Sequence, residues 1–360
     1  MSDPRDNAFM GMALELARRG AGRTAPNPMV GAVVVRDGVV VAEGWTQPVG
    51  QDHAEPHALR KMGFSAAGTT MYVTLEPCCH HGRTPPCTDA VLQSGVARVV
   101  VGTVDPFPLV AGRGIARLRE AGIVVDVGVR EAECRRTNLG FLRAVTLGLP
   151  EVTLKAAITL DGRIASSRGE SRWITGPAAR EAGWRLRDSH DAVLVGIGTV
   201  LADDPALTTR SPGGRDAVPV VLDTTLRIPG NARLWTAGRP PIVYCAEDAP
   251  TRDLPGLLVR VPRGDHGVAL DAVLRDLARR GFHRVLAEGG GRVHRALLDG
   301  GHVDRLEIFL SARVLAGGAG FVAGPGFALA DAPTFRFVDG RAIGDDFHLV
   351  LEQEPCSLAS

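Results

Sequence analysis

The chain has 360 residues, 45% of them hydrophobic, and a formal net charge of +1. That length predicts two domains rather than one core, while near-neutral charge and 5% aromatics count against a basic, base-stacking nucleic-acid surface. No apolar run is long enough to span a membrane and no N-terminal stretch reads as a signal peptide, so a cytoplasmic chain is expected; six unevenly clustered cysteines suit a metal site better than a disulfide framework.

Residues 6–19 carry apolar side chains at helical spacing, with Asp6 as the expected N-cap. Pro26-Asn27-Pro28 breaks that helix, and residues 30–35 read as a buried strand. Asp37-Gly38 predicts a hairpin turn into a second strand over 39–45. Pro56 is tolerated only in a first helical turn, so His53 should stand at a helix N-terminus. A strand over 69–75 then leads into a cysteine-bearing loop, and Thr88-Asp89 can cap a helix ending at Gly95. Strands over 97–103 and 123–127 flank a helix over 114–121, a strand–helix alternation that predicts a three-layer α/β domain. A charged helical segment, 131–149, closes it at Gly148-Leu149-Pro150, which sets the expected domains at 1–149 and 150–360.

The second half restarts with a strand over 152–159 containing Lys155, a turn at Leu160-Asp161-Gly162-Arg163, and a helix from Pro177 to about Ser189. Short strands are expected over 192–195, 218–222, 241–245 and 284–287. The last runs through Glu288-Gly289-Gly290-Gly291 into a helix over 293–298. There is no internal repeat.

Chemistry concentrates in His53-Ala54-Glu55 and in Glu76-Pro77-Cys78-Cys79-His80-His81-Gly82-Arg83-Thr84-Pro85-Pro86-Cys87. Two thiolates and one imidazole, His53, Cys78 and Cys87, suit Zn²⁺ with a fourth position left for water. Glu55, two residues from His53, is placed as general acid and base rather than as a ligand, the logic of zinc deaminases. A closed structural site, with Cys79, His80 or His81 as fourth ligand, would leave Glu55 without a purpose. In the second half the signals are weaker. Glu288 to Gly291 can cradle a phosphate at a helix N-terminus, though a plain tight connection reads as well. Arg187 and Arg210 can hold a phosphate, though isolated arginines are usually solvated surface residues, and Asp203-Asp204-Pro205 can equally be an Asx turn. No dinucleotide-binding Gly-x-Gly-x-x-Gly follows the first strand.

Taken in order, these motifs resemble the bifunctional deaminase–reductase family of riboflavin biosynthesis. The first half contributes Pro26-Asn27-Pro28, His53-Ala54-Glu55, Leu75-Glu76-Pro77-Cys78, the loop to Cys87 and Val110-Ala111-Gly112-Arg113-Gly114. The second contributes Lys155, Leu160-Asp161-Gly162-Arg163, Gly169-Glu170-Ser171-Arg172-Trp173-Ile174-Thr175, the run from Thr199 through Asp203-Asp204-Pro205 to Thr208, and Glu288-Gly289-Gly290. The resemblance implies an N-terminal cytidine-deaminase-like three-layer α/β/α domain and a C-terminal dihydrofolate-reductase-like α/β domain. It implies zinc-dependent deamination of 2,5-diamino-6-ribosylamino-4(3H)-pyrimidinone 5′-phosphate, then NADPH-dependent reduction of the ribosyl group to ribityl.

By the same likeness, zinc falls on His53, Cys78 and Cys87 with Glu55 as proton shuttle, and Asn27, Arg83 and Thr84 hold the deaminase substrate. Lys155, Ser171, Arg187, Leu207, Arg210 and Glu288 would hold the reductase substrate. Ala157, Trp173, Thr199, Asp203, Gly289, Gly290 and Gly291 would hold NADPH. The partner implied is a small pyrimidine ribotide, with a homo-oligomer (dimer or tetramer) expected and neither nucleic acid nor membrane. Three positions depart from the family pattern: Thr46 stands where a histidine is usual, Phe107 where asparagine is, and Cys79 where serine is. A nucleic-acid deaminase and a zinc-stabilised scaffold without turnover are the competing readings.

Overall fold

The computed structural model describes residues 3–353 and divides into two compact units, Met1–Leu149 and Pro150–Ser360. In the first unit, α1 (Pro4–Arg18) precedes the hairpin β1 (Gly31–Arg36) and β2 (Val39–Trp45). Then come α2 (Ala54–Arg60), β3 (Thr70–Val73), α3 (Cys87–Ser94), β4 (Arg98–Val101), α4 (Arg113–Glu120) and β5 (Val124–Val127). The helices α5 (Glu131–Thr137) and α6 (Leu139–Leu147) close the unit, broken at Asn138.

The sheet order is β2-β1-β3-β4-β5; β1 is antiparallel to both neighbours, and β3, β4 and β5 are parallel. Period-two alternation splits each inner strand between two cores. Ala32, Val34, Met71, Val73, Val99 and Val101 face α2, α3 and α4, while Val33, Val35, Tyr72 and Val100 face α1 and α5. Three α/β/α layers follow from that alternation alone.

Two local readings need correction. Asp3, not Asp6, caps α1, accepting from the Arg5 N–H at 2.8 Å. Asp6 lies one turn in, buried, where it accepts from Tyr72 Oη at 2.7 Å and from both terminal nitrogens of Arg98. Its carboxyl is more useful inside that network than at a solvent-facing cap. Likewise α3 starts at Cys87 with Pro86 before it and no side-chain cap; the Thr88 hydroxyl accepts from Arg117 instead.

In the second unit β6 (Glu151–Thr159) and β7 (Arg163–Ala165) precede α7 (Pro177–Asp188), β8 (Ala192–Gly196), α8 (Ile197–Asp203) and β9 (Val218–Leu222). Next are β10 (Ile242–Ala246), β11 (Leu257–Val261), the short pair β12 (Arg263–Gly264) and β13 (Gly267–Val268), and α9 (Leu270–Arg279). Then follow β14 (Arg284–Glu288), α10 (Gly291–Asp299), β15 (Arg305–Ser311), β16 (Ala319–Gly320), β17 (Arg336–Ile343) and β18 (Asp346–Glu352).

Nine strands form one sheet, β11-β10-β9-β8-β14-β6-β15-β18-β17, parallel as far as β15 and antiparallel at the β18 and β17 edge. Its parallel centre is apolar on both faces, as covering helices require. β8 ends at Gly196, which also serves as the N-cap of α8. Among the described residues, no helix is long and apolar enough to cross a membrane.

Candidate metal centre and ligand cleft

His53 is the N-cap of α2, Cys78 follows β3 by a few residues, and Cys87 is the first residue of α3. The close approach of α2 to β2 depends on Gly44, where a Cβ would lie 2.2 Å from the Ala54 carbonyl oxygen. His53 Nδ1 lies 3.3 Å from Cys87 Sγ and 3.7 Å from Cys78 Sγ, and the three ligand atoms fall within 4.8 Å of one another. The Cys87 N–H also donates to Cys78 Sγ at 3.3 Å. One imidazole and two sulfurs, converging at two helix N-termini where the dipoles favour thiolate, fit zinc.

The Cys78 thiol falls to about 4 because Cys87 donates to its sulfur and, against the cost of burial, so does His53. His53 is raised, chiefly by its bond to Cys78. Glu55 is buried beside the cluster and outside the ligand set. Burial lifts its carboxyl to about 7, and the Cys78 charge adds to the rise.

The other expected deaminase residues are placed less closely. Thr84 Oγ1 meets His53 Nε2 at 3.5 Å, on the side of the ring away from the sulfurs. Asn27 is half-buried in the turn before β1, its N–H donating to the Thr24 carbonyl, and Arg83 is exposed in the cysteine loop. Cys79 turns its thiol to the Leu109 carbonyl at 3.7 Å and lies outside the ligand cluster. Thr46 accepts from the Val30 N–H at 3.1 Å, completing the β1–β2 backbone, and Phe107 packs on the His80 ring with centroids 5.6 Å apart.

Glu76, also in the cysteine-loop motif, has a structural role that its spacing does not announce. It is buried, and its two oxygens accept from four backbone N–H groups: Asp105 at 3.2 Å, Gly112 at 2.9 Å, Gly114 at 2.9 Å and Ile115 at 3.1 Å. One carboxylate next to the ligand strand thus pins the loop carrying Phe107 and the start of α4. Only long-range folding reveals this; nothing local in the sequence signals it.

In the second unit a cleft of about 1020 Å³ opens along the carboxyl ends of the central strands, at the upper end of the ~300–1,000 Å³ usual for ligand sites. Crevices of this kind are where open parallel sheets bind ligands. Lys155, Ala157, Ser171, Trp173, Arg187, Thr199, Asp203, Leu207, Arg210, Glu288, Gly289, Gly290 and Gly291 all line it. Gly290 caps α10, and a Cβ there would meet open space, while one on Gly291 would lie 2.8 Å from the Ala323 nitrogen and the Gly320 oxygen. Such a glycine turn at a helix N-terminus fits a dinucleotide's phosphates.

Arg187, read as a residue able to hold a phosphate, has partners within the chain. Its Nε and Nη2 donate to Glu288 at 2.7 and 2.9 Å, and its Nη1 donates to the Thr208 carbonyl at 2.8 Å. Burial alone would raise Glu288, but the charges of Arg187 and Lys155 hold its carboxyl at about 2. Lys155 Nζ lies 3.9 Å from Glu288, and burial lowers its ammonium below the ordinary lysine range. Arg210 packs over the Trp184 ring at 4.9 Å and has no carboxylate partner among the described residues. Trp173 is covered by Arg180 at 4.5 Å. Trp184, Arg180 and Phe309 of β15 line the cleft without having been expected there. The Arg-x-x-x-Trp-x-x-Arg spacing of 180, 184 and 187 along α7 was the signal available for the first two.

The N-terminal part matches the family model of the cytidine and deoxycytidylate deaminase zinc-binding region over residues 3–103. The C-terminal part matches that of the RibD C-terminal domain over residues 150–349. The riboflavin biosynthesis protein RibD of Bacillus amyloliquefaciens is 42% identical over 95% of this chain and 94% of its own. The chain belongs to the RibD family. The RibD of Escherichia coli (strain K12) is also 42% identical, over 96% of this chain and 99% of its own. A crystal structure from Thermotoga maritima, of a diaminohydroxyphosphoribosylaminopyrimidine deaminase/5-amino-6-(5-phosphoribosylamino)uracil reductase, matches with a TM-score of 0.88 at 39% identity. It covers 97% of this chain and 99% of that one. As a RibD family member the chain is a bifunctional enzyme of riboflavin biosynthesis, a zinc-binding deaminase joined to an NADPH-dependent reductase. The nucleic-acid-deaminase and scaffold readings fall away.

Proposed function

We propose that residues 1–149 deaminate 2,5-diamino-6-ribosylamino-4(3H)-pyrimidinone 5′-phosphate, and that residues 150–360 reduce the ribosyl group of the product to ribityl. The observation that carries this is the pairing of the His53–Cys78–Cys87 cluster, with Glu55 beside it, and a separate cleft holding Lys155 and Glu288. His53, Cys78 and Cys87 would hold the zinc. When bound, zinc supplies Lewis acidity that makes water a competent nucleophile near neutral pH, and NADPH supplies a hydride.

Glu55 Oε takes a proton from the attacking water and returns protons to the ring nitrogen and the departing amine, so that ammonia leaves. Thr84 steadies His53 through Nε2, and Asn27 and Arg83 hold the pyrimidine ribotide. In the cleft, Arg187 acts by fixing Glu288, while Arg210 offers the 5′-phosphate an uncommitted guanidinium. Ser171 and Leu207 complete the substrate wall, and Ala157, Trp173, Thr199, Asp203 and the turn from Gly289 to Gly291 hold the dinucleotide. Lys155 Nζ stands by the open-chain ribose to deliver the proton that accompanies hydride transfer. The enzyme works in the cytoplasm as a homo-oligomer.

The test is to incubate the protein with the diaminopyrimidinone ribotide and identify products by mass. Without NADPH the expected product has one amino group exchanged for oxygen; with NADPH it has also gained two hydrogens. Reduction of the diamino compound without prior ammonia release would overturn the order of steps.

A further inference from the structure

Gly183 stands in the interior of α7, where glycine is the least favourable residue after proline. Its backbone is ordinary right-handed helix, so its conformation does not call for glycine. Packing does. The face that α7 buries consists of Ala179, Gly183 and Arg187, one turn apart from each other. The Lys155 side chain runs beneath that face: a Cβ on Gly183 would lie 3.2 Å from Lys155 Cε and 3.4 Å from Nζ.

Two further neighbours mark where the end of Lys155 sits in the cleft wall. Lys155 Nζ sits 5.7 Å from the centroid of the Phe309 ring and 3.9 Å from Glu288 Oε2, and Glu288 is itself held at both oxygens by Arg187. A methyl group at 183 must therefore push the end of Lys155 by a few tenths of an ångström, away from the position it holds beside Glu288.

We propose that Gly183 is a positioning residue of the reductase, its missing side chain being the space that holds Lys155 Nζ against Glu288 and the substrate. This rests on the reading of Lys155 as the residue beside the ribose. Displacing a reacting group by a fraction of an ångström costs turnover far more than binding.

The chain has only two lysines, Lys61 and Lys155, so a protein labelled with [ε-¹³C]lysine gives two side-chain signals and reports the displacement without activity. In Gly183→Ala the Lys155 signal should move while that of Lys61, over Trp45 in the other unit, stays. Reductase kcat on the deaminated ribotide should fall at least tenfold, with KM for NADPH unchanged, ammonia release unchanged and Tm no lower. An unmoved Lys155 signal with full kcat would overturn the proposal, and so would a kcat that falls only in step with Tm. The two readings separate on Lys155→Ala. If that variant still turns over, the role given to Lys155 is wrong. If it is dead while Gly183→Ala keeps full kcat, only the role of Gly183 is.

Discussion

In the first unit three ligands and a carboxylate come from two short segments, His53 to Glu55 and Cys78 to Cys87, anchored at the N-termini of α2 and α3. In the second, the cleft draws side chains from β6, α7, α8, β14 and β15 and from the loops near Ser171 and Arg210. A metal needs a few heteroatoms at one point, so its ligands can sit close together in sequence. A dinucleotide and a ribotide present a long, varied surface, and the residues that meet them are spread over the whole unit. Deamination should accordingly fail at single positions, and reduction should weaken at many.

The largest effect expected from that contrast is on zinc removal. Dialysis against a strong chelator should abolish ammonia release while NADPH oxidation on the deaminated ribotide continues, and restoring zinc should restore the first. Both rates falling together would break the separation of the units. Next in size, Lys155→Ala should lower NADPH oxidation on the order of 10³-fold, the scale of a lost general acid, with deamination intact when assayed by ammonia release.

Glu76→Gln should cost about 3 kcal/mol of stability in the first unit, because an amide donor would face backbone N–H groups that have lost their acceptor. Urea titration of the variant would show it, and an unchanged midpoint would mean that the loop from Asp105 to Ile115 is held by other contacts.

The last effect is confined to acid. Folded Glu288, at about 2, binds its proton less tightly than the unfolded chain, whose carboxyl has the ordinary value near 4.5. Its contribution is complete above about pH 4.5 and is lost as pH falls toward 2. Glu288→Gln should flatten that limb of the stability curve, measured by thermal melts across the same pH window.

The same contrast explains what was legible in the sequence. Glu55, His53, Cys78 and Cys87 carry their chemistry in residue type and spacing, so the metal centre could be read before any coordinates. The cleft residues, among them Lys155, Trp173, Arg187, Arg210, Glu288 and the glycines from 289 to 291, are each ordinary in sequence, and family likeness rather than local signal places them. The inner strands β1, β3, β4, β6 and β8 showed themselves as β-branched runs. By contrast β15, β17, β18 and α9 went unread: β17 is exposed along almost all its length and has no alternation to detect. Paired glycines hid α8 in the same way. Glu76 and Gly183 were unreadable in principle, because each is defined by a segment distant in sequence that folding brings against it.

The most direct test of the account is Glu55→Gln, purified with its zinc content measured and given each ribotide in turn. Full zinc occupancy, no ammonia from the diamino compound, and undiminished NADPH-dependent conversion of the deaminated one are expected. Ammonia release at the parent rate, or loss of both reactions in a folded, zinc-loaded protein, would contradict it.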